Sequence, residues 1–315
     1  MKNNKLILIF LILVFSSSFS YGQRWKRLRK EILGGIVTSQ FLGDLGGSKN
    51  VGVHNIRDLN LRAMRLGACV GYSYRLNYHI SLQTKIIFAY LRGDDKFSKE
   101  PYRNNRNLNF RSPVLDFTAQ CNYIIFNKKR EIHRYNIKGI AAKNIIDYHI
   151  YIFTGIGGFW FDPYGKDSSN KWHRLKPLRT EGEGLVPTRK EYSNYQVCIP
   201  VGIGIKFVLN RLYSLGIEYS YRKTFTDYID DCSTTYFDPN AIRNANNKNG
   251  DLAVYMANPS PTKNIDIQNS PTGIGTQTTA PGMQRGDPRS KDGYMFLIVT
   301  LYYKLPRKGF SAPKF

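Results

Sequence analysis

The segment VCIPVGIGIKF, residues 197–207, alternates between two kinds of residue over its whole length. Every odd-numbered position holds Val, Ile or Phe, whereas the even-numbered positions hold Cys, Pro, Gly, Gly and Lys206. Successive side chains of a β-strand point to opposite faces of the sheet. The segment therefore predicts a strand with one apolar face and one face that is small and partly polar.

The same period of two recurs along the chain, in runs of 10 to 14 residues at 80–91 and 213–222 among others. Soluble strands average five or six residues, whereas a tilted strand needs about 9 to 11 residues to cross a bilayer. The length therefore favours a membrane barrel over a soluble β-sandwich, which would also alternate. Eight runs are predicted as strands: 31–40, 65–75, 79–92, 110–126, 148–161, 195–208, 212–225 and 293–305.

The connections between these runs alternate between short and long. Two of them, 76–78 and 209–211, have only three residues, and 127–147 is the longer exception on the same side. Outer-membrane barrels have short periplasmic turns and long outer loops. We therefore predict an all-β fold, a closed antiparallel transmembrane barrel of about eight strands with a filled interior. The predicted outer loops are 41–61, 93–109, 162–194 and 226–292.

The N-terminus has the features of a cleaved export signal. Lys2 and Lys5 precede an apolar run of ten residues, LILIFLILVF, and small residues lie just before Gln23. Ten apolar residues are too few for a membrane-spanning helix. We predict a signal peptide over 1–22, a barrel domain over 23–315 and an outer-membrane location.

The fourth outer loop, 226–292, contains six prolines and many Asn, Gly and Thr residues. This composition predicts a partly mobile loop, and a small folded plug is the alternative.

The formal charge is +23, and more than half of it falls on one side of this topology. The periplasmic segments 24–30, 127–147 and 304–315 carry a net charge of +13, against +1 for the four outer loops together. A basic surface usually has an anionic partner. For an exported chain we expect lipid headgroups, lipopolysaccharide or an acidic periplasmic protein and not nucleic acid. The partner-binding candidates of this rim are Lys128, Lys129, Arg130 and Arg134.

Charged residues also fall on the rows that the barrel would turn inward. An eight-stranded barrel is just wide enough to be filled by side chains, so these residues are expected to pair with one another and not to line a pore. The predicted interior charge network comprises Lys85, Asp116, Lys206, Glu218 and Arg222.

No catalytic, cofactor or metal site is predicted. The five histidines are scattered, and neither HExxH, GxSxG nor a P-loop is present. Asp227, Asp230 and Asp231 crowd three carboxylates into five positions, which is too few oxygens for Ca²⁺. We interpret them as strand-end caps and salt-bridge partners, or else as a contact for a partner or cation.

The export route permits disulfides. Cys69 and Cys198 fall on opposite inward rows, too far apart to bond, and Cys121 faces lipid. Four free thiols is one interpretation. The other is that Cys232, at the base of the fourth loop, bonds a partner.

Several motifs resemble one family. They include FLGDLGG at 41–47, RGDDK at 92–96, LKPLRTEGEG at 175–184 and YRKTFTDYIDDCSTTYFD at 221–238; NLNFRSP at 107–113, GIGGFWFDP at 155–163 and IPVGIGIKFVLN at 199–210 agree with it. The chain resembles the PorG-type outer-membrane barrels of the Bacteroidetes type IX secretion and gliding machinery. The resemblance implies a barrel without catalysis that anchors or scaffolds a ring formed by an outer-membrane lipoprotein and its periplasmic partner. The alternative is a stand-alone small barrel of the OmpA or OmpX kind, serving envelope integrity or adhesion.

Overall fold

The computed structural model describes residues 28–45, 64–98, 100–128 and 147–306. The predicted signal peptide and residues 129–146, which hold most of the predicted basic turn, lie outside the described residues. Ten strands are present: β1 (Lys30–Leu42), β2 (Arg65–Arg75), β3 (Ile80–Asp94), β4 (Asn109–Lys128), β5 (Asp147–Phe161), β6 (Tyr164–Lys166), β7 (Trp172–Arg174), β8 (Tyr195–Val208), β9 (Tyr213–Thr224) and β10 (Gly293–Leu305). Among the described residues, three α-helices lie within the long loops: α1 (Pro101–Arg106), α2 (Pro239–Asn246) and α3 (Gly250–Ala257).

Eight of the strands form a closed antiparallel barrel, in the order β1-β2-β3-β4-β5-β8-β9-β10. The closing pair is β1 with β10, which are in register from Lys30 opposite Leu305 to Leu42 opposite Gly293. These eight strands correspond to the eight predicted runs, so the predicted fold class is confirmed. The remaining strands, β6 and β7, form a small hairpin in the third long loop that extends from β4.

Both short turns are built in the same way. In the β2–β3 turn, the Asn77 side chain accepts hydrogen bonds from the backbone N–H groups of His79 and Ile80 at 2.9 and 2.7 Å. In the β8–β9 turn, Asn210 accepts from two backbone N–H groups in the same way, at 2.8 and 2.7 Å. Asparagine side chains that bond the backbone two or three residues ahead favour tight turns. The two turns therefore fix the register of both hairpins at one end of the barrel.

The outer face of the barrel is an apolar belt. Exposed Val, Ile, Leu and Phe side chains occur on all eight barrel strands, and Tyr78, Tyr123, Phe126 and Tyr213 ring the end that carries the short turns. Proteins that are surrounded by water rarely expose contiguous apolar patches of more than a few hundred Å². An apolar band with interfacial aromatic residues is the lipid-facing surface of outer-membrane barrels. The fold and its belt are those of an outer-membrane barrel.

Within the described residues, no helix is long and apolar enough to cross a bilayer.

Candidate functional site

The barrel interior contains three stacked ion pairs. Lys206 pairs with Glu31 near the end with the short turns, and Lys85 pairs with Glu218 at mid-height. All five residues of the predicted interior network are buried, and the structure adds Glu31 as a sixth. Sequence reasoning missed Glu31 because Gly34 and Gly35 obscure which way the first strand faces.

The third pair lies nearer the long loops. The Arg222 Nε atom is 3.0 Å from Asp116 Oδ2, and the Tyr294 hydroxyl donates to the same oxygen at 2.9 Å. At mid-height, Glu218 accepts hydrogen bonds from the hydroxyls of Tyr151 and Tyr302 at 2.6 and 3.0 Å. A buried charge is tolerated when it is both paired and hydrogen-bonded, and these contacts meet that condition.

Amide and aromatic side chains fill the space between the pairs. Asn122 donates to Gln83 at 2.6 Å, and Gln83 donates to the Tyr302 hydroxyl at 3.2 Å. Above them, Phe41 packs edge-on against Phe110 with ring centroids 4.8 Å apart. A cavity beside Lys206, Gln83 and Tyr151 has a volume of about 10 Å³, which is room for about one water molecule. In the part of the chain that the structure describes, ion pairs, amides and aromatic rings fill most of the barrel interior.

The long loops cover one end of the barrel with a folded layer, which we call the loop cap. The loop cap comprises residues 43–45, 95–98, 100–108, 162–194 and 225–292. The fourth loop contributes helices α2 and α3, and Ile242 of α2 and Ala253 of α3 are buried in the same hydrophobic cluster as Val37 and Phe41 of the barrel. This loop is therefore a folded plug in the structure, and the mobility suggested by its composition stays a prediction.

The three clustered aspartates hold the loop cap together from inside. Asp230 accepts the backbone N–H of Leu45 at 3.0 Å, and Asp231 accepts the hydroxyls of Thr180 and Tyr192, both at 2.6 Å. Asp227 accepts the hydroxyl of Ser233 at 2.7 Å. All three carboxylates are buried. Their described contacts are with loops of the same chain, and a contact with a partner or cation stays a prediction.

Two arginines that sequence reasoning missed complete this framework. The Arg106 Nε and Nη2 atoms lie 2.8 and 2.9 Å from the two oxygens of Asp95. Arg285 pairs with Glu181 at 2.8 Å and also donates to the backbone carbonyls of Ala257 and Asp231. Neither arginine is part of a periodic pattern, so only a prediction of the loop contacts would have found them.

These contacts join four of the segments that carry the family resemblance. The segments at 41–47 and 221–238 meet through Leu45 and Asp230, and those at 175–184 and 221–238 meet through Thr180 and Asp231. RGDDK at 92–96 supplies Asp95 to Arg106. The most distinctive stretches of the sequence therefore build the interior of the loop cap.

Burial has a marked effect on acidity in the loop cap. It raises the pKa of Asp230 and Asp292 well above the usual range, and neighbouring carboxylates add to the effect. Burial raises the pKa of Asp227 to about 7 and that of Glu183 to about 8. For Asp231 burial also dominates and raises the pKa to about 6, although Arg285 acts in the opposite direction. Several of these carboxyl groups thus hold protons near neutral pH.

Cys232 is fully buried, and its thiol donates to the backbone carbonyl of Arg285 at 3.2 Å. Cys232 is therefore not the exposed thiol that the partner hypothesis assumed, and a bond to a partner stays a prediction. All four cysteines are free in the structure; Cys121 is exposed on the outer face of β4, whereas Cys69 and Cys198 are buried inside the barrel. Burial raises the pKa of the Cys232 thiol well above its usual value, which makes it unreactive.

Of the four basic partner-binding candidates, only Lys128 is described. It ends β4 at the end of the barrel that carries the short turns, and its side chain is exposed. Lys129, Arg130 and Arg134 lie outside the described residues, so their role stays a prediction.

No group of three or more His, Cys, Asp or Glu side chains suited to a metal ion occurs among the residues that the structure describes.

No family model matches the sequence, and no curated protein does. Among solved structures, the chain is similar to Ail, the attachment invasion locus protein of Yersinia pestis, at 9% identity and a TM-score of 0.37, covering 89% of this chain and 99% of Ail. It is similar to Neisserial surface protein A at 7% identity and a TM-score of 0.35, covering 88% and 97% of the two chains. It is also similar to the N-terminal β-barrel domain of Pseudomonas aeruginosa OprF, at 8% identity and a TM-score of 0.29, covering 88% and 98%.

Proposed function

We propose that the protein is a stand-alone, non-catalytic outer-membrane barrel whose strands anchor the loop cap at the cell surface, for adhesion or envelope integrity. The observation that carries this proposal is the filled interior, in which three stacked ion pairs and aromatic side chains occupy the described barrel. A barrel without a pore contributes through its surfaces, and the loop cap is its largest folded surface outside the belt.

Surface labelling of intact cells tests the orientation. Lys248 is exposed on the loop cap, and Lys128 is exposed at the opposite end of the barrel. A membrane-impermeant amine reagent is expected to modify Lys248 on intact cells and Lys128 only after the outer membrane is permeabilised. Labelling in the reverse order would place the loop cap in the periplasm and overturn the proposal.

The second candidate is a scaffold of the type IX secretion and gliding machinery, which binds a ring lipoprotein and its periplasmic partner. The resemblance of the loop-cap motifs and the basic charge of segment 127–147 support it. The test is a crosslinking pull-down of the detergent-extracted protein with Lys128, Lys129 and Arg130 changed to Glu. Capture of the ring lipoprotein by the natural protein and its loss in the variant support this role.

The matched control makes the same change of charge on the loop cap. Lys190, Lys248 and Arg289 are all exposed there, and changing them to Glu should leave ring capture intact. If the natural protein captures no ring component, the stand-alone barrel is the better description.

A further inference from the structure

We propose that the loop cap contains a binding pocket for a small neutral sugar. The inference rests on the proposed function in one respect, because the pocket meets extracellular ligands only if the loop cap faces outward.

The pocket is a cavity of about 510 Å³ that opens to solvent between three loops. Its volume lies within the range of typical small-molecule sites. Gly43 and Asp44 of the first loop form one wall, α1 of the second loop forms another, and residues of the fourth loop form the remainder. The exposed ring of Tyr102, on α1, stands at this wall. Because loops far apart in sequence form it, the pocket exists only when the loop cap is folded.

The walls are held rigidly. Arg106 lines the cavity while it donates to the backbone carbonyls of Arg285 and Asp44 at 2.5 and 2.8 Å, and it also pairs with Asp95. Arg285 lines it while pairing with Glu181. Side chains that are fixed before binding lose little conformational entropy when a ligand arrives. The cavity is therefore organised in advance.

Two hydroxyl groups of the cavity wall lack a hydrogen-bond partner among the described residues. Tyr236 and Thr279 both line the cavity, both are more than nine-tenths buried, and neither side-chain hydroxyl has a partner there. The Tyr236 hydroxyl is close enough to Arg106 and Arg285 for their charges to act on it. Buried polar groups are nearly always hydrogen-bonded, so these two indicate that a partner enters from the cavity.

The charges of the wall define the class of ligand. Arg103 and Arg106 both pair with Asp95, and Arg285 pairs with Glu181. The lining also contains the carboxyl groups of Asp44 and Asp287. A wall with no net excess of charge favours an uncharged ligand. Hydroxyl groups that both donate and accept, next to an exposed tyrosine ring, suit a sugar, which presents hydroxyls on its edges and C–H groups on its faces.

The experiment is a titration of sugars into the full-length protein in detergent, in which saturation-transfer NMR and calorimetry measure binding. The probes are glucose, galactose and N-acetylglucosamine, with glucuronate as the anionic comparison. We expect saturable binding of at least one neutral sugar. Tyr236→Phe and Thr279→Val should each weaken it by about three- to tenfold, the loss of one hydrogen bond.

The variants separate binding from folding. Because neither hydroxyl has a protein partner, removing it should leave the melting temperature unchanged or raise it, so weakened binding cannot be attributed to unfolding. Tyr255→Phe, also in the loop cap but away from the cavity lining, is the matched control and should bind like the natural protein.

Equal binding by the natural protein and the Tyr236→Phe/Thr279→Val double variant would overturn the pocket, and so would binding of glucuronate alone or of no probe. These outcomes leave the surface-labelling result standing. Conversely, reversed labelling would overturn the proposed function even if the purified protein bound a sugar.

Discussion

The barrel interior and the loop cap both bury many charged groups, but they satisfy them in different ways. Inside the barrel three carboxylates face three cations, one pair at each level. In the loop cap eight carboxyl groups are buried, whereas Arg285 is the one buried guanidinium among the residues described there. Arginines pair with three of these groups, Asp95, Asp162 and Glu181. Backbone N–H groups and hydroxyls satisfy the other five, as the contacts of Asp230 and Asp231 show.

The difference follows from geometry. Strands place side chains at fixed heights, and their backbone N–H groups are used by neighbouring strands, so an interior charge needs another side chain. Loops leave many backbone N–H groups free, and a carboxylate can bind those directly. The barrel therefore depends on charge pairs, and the loop cap depends on hydrogen bonds whose acceptors can also be protonated.

The largest expected effect comes from breaking one interior pair. Glu218→Leu leaves Lys85 buried without its counter-charge, and it should lower the free energy of unfolding by about 3–5 kcal/mol. Urea unfolding in detergent, followed by tryptophan fluorescence, measures the change. The double variant Lys85→Met/Glu218→Leu should recover most of the loss, because two apolar side chains replace the pair. A single variant as stable as the natural protein would contradict the dependence of the barrel on charge pairs.

A smaller effect is expected from the packing around the same pair. A Cβ atom at Gly204 would lie 2.4 Å from the ring of Tyr151, whose hydroxyl donates to Glu218. Gly204→Ala should therefore cost about 1–3 kcal/mol of unfolding free energy, as overpacking does in other cores. Gly158→Ala is the matched control, since its nearest neighbour would be the Gln196 carbonyl oxygen at 3.7 Å. If both variants cost the same, the loss reflects glycine replacement in a strand and not displacement of Tyr151.

The same difference in geometry explains what the sequence could predict. Alternation is local, so all eight strands and the inward direction of Lys85 and Glu218 can be read from short segments. The contact between Leu45 and Asp230 joins residues 185 positions apart, with no periodic pattern at either end. The burial of Asp227 and Cys232 depends on many such contacts between loops, which the composition of the fourth loop does not reveal.

The loop cap should respond to pH in the range where its carboxyl groups titrate. Their pKa values are raised on folding, Asp227 to about 7 and Glu183 to about 8, so the folded cap binds more protons than the unfolded chain between about pH 4 and 8. Its stability is therefore fully present below about pH 4 and is lost as the pH rises through these values. Hydrogen exchange of α2 and α3 should be slower at about pH 5 than at about pH 8.

The barrel strands serve as the internal reference for this measurement. Asp227→Asn mimics the protonated group, because one carboxyl oxygen has no partner among the described residues and the other accepts from Ser233. The variant should flatten the pH dependence of the loop cap. A cap that becomes more protected as the pH rises would show that the sign of this linkage is wrong.

The smallest effect concerns reactivity and not stability, and it compares two buried thiols directly. Cys198 lies inside the barrel and Cys232 inside the loop cap, and neither is accessible in the folded protein. A polar maleimide should leave both unmodified at about pH 6, whereas all four cysteines should react after denaturation.

At about pH 8 the loop cap is less stable and should open more often, so Cys232 should react faster than Cys198. The increase in the rate of Cys232 should exceed the increase that a larger thiolate fraction at about pH 8 explains. Mass spectrometry of the labelled peptides measures both rates in one sample. If Cys232 and Cys198 reacted at equal rates at both pH values, the loop cap would open only together with the barrel. The protonation of its carboxyl groups would then not control its opening separately.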